Sequence, residues 1–131
     1  MSMHAGIVLA PVPASVPEAR KWAAGTLDGW GCGGGFVEAV RLVVSELVGN
    51  GVRHAETELQ LDLRLEPSTF RVEVTDTAPG RVAPDPPDPL AANGRGLGIV
   101  EQMCQRWGIS YTATGKTVWA EWDREPDRPR S

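Results

Sequence analysis

Four leucines at every second position, Leu59, Leu61, Leu63 and Leu65, are followed after Pro67 and Ser68 by Phe70, Val72 and Val74 at the same spacing. The residues between them are polar: Gln60, Asp62 and Arg64, then Arg71, Glu73 and Thr75. A period of two is the mark of a half-buried strand. Two such runs about a short turn predict an antiparallel hairpin with one apolar face, and that face needs a second layer to cover it. A long helix is predicted just before the hairpin, from Phe36 to about Ala55. Its apolar stripe is Phe36, Val40, Val43, Val44 and Leu47 at helical spacing.

The rest of the chain fills in an α+β fold with one mainly antiparallel sheet and helices on one face. Gly6–Ala10 is a short apolar run stopped by Pro11, which reads as a strand. Ser15 with Glu18 three residues on, and Pro17 in the first turn, reads as a capping box that opens a helix to about Leu27. A helix returns from about Gly96 to Arg106. Ile109, Tyr111 and Ala113 alternate with polar residues, Gly115-Lys116 reads as a tight turn, and Thr117–Trp122 reads as the closing strand. Residues 77–93 hold Pro79, Pro84, Pro86, Pro87 and Pro89 without helical or strand periodicity, which suits a lid or binding loop. We expect one domain over 1–123 and a flexible tail over 124–131.

Composition removes several function classes. With 131 residues, a formal net charge of −4 and no long basic run, the chain lacks the footprint of a nucleic-acid-binding surface. No apolar run is long enough to span a bilayer, and no basic residue precedes the short apolar N-terminal stretch, so neither a membrane protein nor a secretory signal is expected. Cys32 and Cys104 match no metal or redox spacing, and His4 and His54 do not form a metal-binding pair. A cytoplasmic protein is expected.

Three features carry possible chemistry. Glu46 and Asn50 lie four apart on the long helix and share a face at the border of its apolar stripe, with Arg53 continuing the row. They suit either the rim of a pocket or a solvated helix shoulder. Gly49 and Gly51 flank Asn50, and each costs about 1 kcal/mol relative to alanine in a helix. Close approach of a ligand or of a packed neighbour would account for them. Asp76 continues the apolar phase of Phe70, Val72 and Val74, so a carboxylate is aimed at the core side of the sheet, where it needs a donor unless it only caps a turn. Finally, Gly94-Arg95-Gly96-Leu97-Gly98 precedes a helix, a place where backbone can approach phosphate. Gly29-Trp30-Gly31-Cys32-Gly33-Gly34 formally fits a dinucleotide fingerprint, but it follows a helix and reads as an interhelical loop.

Taken in order, these segments resemble a known family. SELVGNGVRHA resembles the N-box of the GHKL ATPase superfamily, VEVTDTAPG its next motif, NGRGLGIV its glycine-rich motif and GKTVWAEW its closing strand. Within the superfamily the chain looks most like the anti-sigma-factor serine/threonine kinases of the actinobacterial single-domain type, over about residues 10–122. The resemblance implies a Bergerat-type two-layer α/β sandwich on a mainly antiparallel mixed sheet, with residues 77–93 as the ATP lid. It implies ATP and Mg²⁺ as ligands, Glu46 as general base toward a serine hydroxyl, Asn50 as the Mg²⁺ ligand and Asp76 as the acceptor for the adenine amino group. Gly80, Gly94, Arg95, Gly96, Leu97 and Gly98 would surround the nucleotide, Thr117 would support the adenine pocket, and Arg53 and Arg20 would contact phosphate or partner. The partners implied are an anti-anti-sigma protein and a sigma factor, with a homodimer as a further family expectation. The chain departs from the family where D-x-G-x-G reads Asp76-Thr77-Ala78-Pro79-Gly80. Alanine resists positive φ and Pro79 restrains it further, so a nucleotide-binding interaction module without transfer activity stays open beside the kinase. A histidine-kinase catalytic domain is disfavoured because no helical segment with a phospho-acceptor histidine precedes the N-box.

Overall fold

The computed structural model describes residues 2–54, 57–76, 98–113 and 115–124, with Thr112 described by its backbone alone. The expected lid, residues 77–93, and the last seven residues of the expected tail lie outside the described residues. The elements run β1 (Met3–Leu9), α1 (Ser15–Gly29), α2 (Gly35–His54), β2 (Leu59–Leu65), β3 (Thr69–Asp76), β4 (Arg106–Thr112) and β5 (Gly115–Asp123), with residues 98–103 helical before β4. The strands form one sheet in the order β1-β2-β3-β5-β4. Each of its four pairings is antiparallel, so the expected mixed character is absent from the described sheet.

Register turns the period-two pattern into rows that cross the sheet. Ile7, Leu61, Val74, Val118 and Ile109 form one inner row. Ala5, Leu63, Val72, Ala120 and Trp107 form the next, and Met3, Leu65, Phe70 and Trp122 a third. These rows form or pack against the core. The layer above them is α2, whose Val40, Val43, Val44, Leu47 and Val48 are buried, and α1, whose Ser15, Ala19, Ala23 and Leu27 fall every fourth residue and are buried as well. At one end Phe36, Phe70 and Trp122 meet edge-on or tilted, with ring centroids 5.2 to 6.1 Å apart.

The opposite sheet face carries charge instead. Glu73 accepts from both Arg64 (3.0 Å) and Arg71 (2.9 Å), and Glu121 links Arg71 to Arg106, which reaches Asp123 at 2.6 Å. The Arg71 guanidinium also lies 4.2 Å from the centre of the Trp119 ring. Arg106 holds the Asp123 carboxyl below the usual carboxylate range. These ion pairs link residues of four strands across this face.

Several boundaries differ from the sequence reading for local reasons. β1 begins at Met3, three residues earlier than expected, because Met3, Ala5 and Ile7 continue the inner phase. The expected capping box does not form. Ser15 is inside the helix and its hydroxyl donates to the Ala10 carbonyl at 2.7 Å, while Ala14 is the N-cap without a side-chain cap. The glycine-rich loop is a helix stop: Gly31 at φ 83°, with its N–H on the Asp28 carbonyl and the Cys32 N–H on that of Leu27, makes a Schellman motif. The last helix stops at residue 103 instead of Arg106, because Trp122 Nε1 donates to the Met103 carbonyl at 2.6 Å and Arg106 already pairs with Glu121 in the sheet. Gly115 and Lys116, expected as a turn, are the first two residues of β5.

Phe70 is fully buried and central to the aromatic cluster. Phe70→Ala is expected to lower the unfolding free energy by about 3–5 kcal/mol, measured by urea denaturation.

Candidate nucleotide site

The fourth inner row breaks the apolar pattern. It runs Leu9, Leu59, Asp76, Lys116, Tyr111, from one edge of the sheet to the other. Leu9 and Leu59 are buried like the rows below them. The next three are polar, and they sit where β3 and β4 end and β5 begins.

Asp76 is 4 % exposed and Asn50 is 7 % exposed; with Ser15 they are the buried polar residues among those described. Asn50 comes down from α2 and Asp76 up from β3, and both line one small recess with Lys116, Leu47, Gly51, Leu59, Val74 and Val118. Its volume is about 10 Å³, which is room for roughly one water molecule. The Asp76 Oδ1 accepts from the Lys116 backbone N–H at 3.4 Å, a long bond. Gly115 makes the carboxylate possible: a Cβ there would lie 2.2 Å from the Asp76 carbonyl oxygen and 2.8 Å from Oδ1.

The two helix glycines have different reasons. A Cβ on Gly51 would fall 2.9 Å from Leu59 Cδ1, so the glycine lets α2 settle onto β2. A Cβ on Gly49 would meet nothing closer than the Arg53 Nη1 at 3.6 Å, which shows the Arg53 guanidinium folded back along its own helix. Arg53 is exposed and is not among the residues lining the recess. Glu46 is half-buried one turn before Asn50 on the same helix. Gly98 begins the described part of the last helix, with open space where its Cβ would be. Arg20 is exposed on α1. Gly80, Gly94, Arg95, Gly96 and Leu97, together with Ala78 and Pro79, lie outside the described residues.

Thr117 requires a correction. It pairs with Thr75, and their hydroxyls are 2.9 Å apart on the outer sheet face, away from Asp76. The residue paired with Asp76 on the inner face is Lys116. The error is one of phase, since a single residue moves a side chain to the other face. The signal was present in the sequence: counting back by two from Trp122, Ala120 and Val118 reaches Lys116. Among the described residues no cluster of three or more His, Cys, Asp or Glu side chains could hold a metal ion, and no helix is long and apolar enough to cross a membrane.

Comparison with known proteins gives the family and the fold. The chain matches the histidine kinase-like ATPase domain family over residues 9–122. It superposes on the crystal structure of the RsbU and RsbW domains of Rv1364c from Mycobacterium tuberculosis with a TM-score of 0.71 at 18 % identity. That alignment covers 97 % of this chain and 33 % of the other, so the chain spans about a third of that structure's length. No curated protein matches the chain.

Gly49→Ala is expected to raise stability by about 0.5–1 kcal/mol, the helix-propensity gain where a Cβ would make only ordinary van der Waals contacts. Gly51→Ala is expected to lower it by about 1–2 kcal/mol, because Leu59 has to move. Paired denaturation curves of the two variants check both signs.

Proposed function

This chain belongs to the histidine kinase-like ATPase domain family, and we propose that it is an ATP-dependent protein serine/threonine kinase of the anti-sigma type. The observation that carries this reading is the pair of buried polar residues, Asn50 and Asp76, brought to one recess from facing elements, Ser15 being the other buried polar residue among those described. An ATPase fold implies ATP, and each residue then has a task. Asp76 accepts from the exocyclic amino group of adenine, and the one-water recess beside it suits a second, water-mediated contact. Asn50 presents a single amide oxygen, which fits Mg²⁺, an ion that keeps several waters and takes its other oxygens from phosphate. The bound ion would neutralise charge on the phosphate oxygens.

In the transfer, the serine oxygen of the acceptor protein bonds to the γ-phosphorus as the bond to the β,γ-bridging oxygen breaks. Glu46 takes the hydroxyl proton, and ADP departs with the bridging oxygen. By the resemblance to the glycine-rich motif, Gly94, Arg95, Gly96, Leu97 and Gly98 would supply backbone amides to the phosphates. By the same resemblance Gly80 and residues 77–93 would close over the nucleotide, and Arg53 and Arg20 would meet phosphate or partner. The acceptor is an anti-anti-sigma protein, and through it the chain regulates a sigma factor in the cytoplasm, with self-association into a homodimer as part of the same reading. The competing reading, a nucleotide-responsive interaction module without transfer, draws on Ala78-Pro79.

Calorimetric titration with ATP tests the site. Binding is expected to strengthen with Mg²⁺ in the wild type, to lose that enhancement in Asn50→Ala and to weaken at least tenfold in Asp76→Asn. Glu46→Ala is expected to slow phosphate transfer to the acceptor serine by about 10²–10⁴-fold while ATP affinity is kept. Tight ATP binding with no transfer to any anti-anti-sigma protein would select the interaction module instead.

A further inference from the structure

Three inner rows of the sheet are apolar from edge to edge, and the fourth changes to Asp76, Lys116 and Tyr111 on three adjacent strands. Directly paired residues project to the same face with Cβ atoms about 4.5–5.5 Å apart, so these three side chains form one polar strip. Two observations mark it as more than a frayed sheet end. Lys116 lines the recess together with Asp76 and Asn50. The Tyr111 hydroxyl is buried without a hydrogen-bond partner among the described residues, whereas such groups are normally satisfied in folded proteins.

We propose that Lys116 and Tyr111 are base-recognition residues that extend the nucleotide pocket beyond Asp76; the inference rests on the reading of that recess as the adenine site. A carboxylate beside an ammonium group presents an acceptor next to a donor. The Watson–Crick edge of adenine presents the complement, an amino donor at N6 next to an acceptor at N1. With N6 on Asp76, Lys116 donates to N1. The Tyr111 hydroxyl, one strand further, gains its missing partner from the bound purine. The Lys116 backbone N–H on Asp76 Oδ1 offsets part of the cost of burying that carboxylate in the free protein.

The test is direct binding of ADP and of 1-deaza-ADP, in which N1 is replaced by CH, to wild type, Asp76→Asn, Lys116→Met and Tyr111→Phe, with thermal melts of each. Wild type is expected to prefer ADP over the deaza analogue by about tenfold or more, the worth of one charge-assisted hydrogen bond. Lys116→Met is expected to erase that preference. Tyr111→Phe is expected to bind ADP about three- to tenfold more weakly while melting no lower than wild type, since it removes only an unpartnered hydroxyl. If ADP binds, Asp76→Asn weakens it, and Lys116→Met and Tyr111→Phe bind like wild type, the proposal falls and the adenine site stands. Equal losses for both ligands in Lys116→Met would overturn the donor role at N1. No ADP binding by wild type would overturn the adenine site itself and this proposal with it.

Discussion

The packing of the α2 stripe on the inner face of the sheet is the constraint on which the rest depends. Val40, Val43, Val44, Leu47 and Val48 cover strands whose inner residues are nearly all apolar, and α1 closes the layer through Ala19, Ala23 and Leu27. Because this contact is tight enough to require Gly51 against Leu59, it sets the height and rotation of α2. Those two coordinates decide where Asn50 points. A rotation of one residue, about 100° on a helix, would send it to solvent and leave Asp76 facing hydrocarbon.

The polar strip is thus a deliberate exception within an apolar layer. Three neighbouring polar residues at the end of a core would destabilise the fold if left unpaired, since each buried polar group without a partner costs about 1–3 kcal/mol. Part of the cost is met internally, by the Lys116 N–H on Asp76 and by Gly115, which lets the two strands approach. Violation of local rules is concentrated where the ligand is proposed to sit, which is the usual place for it. The outer face shows the contrast: its arginines and carboxylates pair with one another across the strands.

Much of this was legible in the chain before any coordinates. β2 was bounded as expected at Leu59–Leu65, and Asp76 was aimed at the core side by simple alternation. Asn50 was placed at the border of the helix stripe and is buried. The misreadings came from short-range signals that lost to long-range ones. Ser15 looked like a cap, but the Ala10 carbonyl across the turn claims its hydroxyl. Gly115-Lys116 looked like a turn, but pairing with Asp76 and Tyr111 draws Lys116 into the sheet.

The sequence by itself determined the α+β class, the antiparallel hairpin, the long helix and the order of motifs that placed the chain in its family, because periodicity and spacing are properties of the chain alone. Only the tertiary structure decided that Gly51 serves packing while Gly49 does not, that Thr117 turns away from Asp76, and that Lys116 and Tyr111 join it. Those are questions of register and of contact between segments remote in sequence. A one-residue change in pairing reverses every side chain of a strand, and only the assembled sheet fixes that phase.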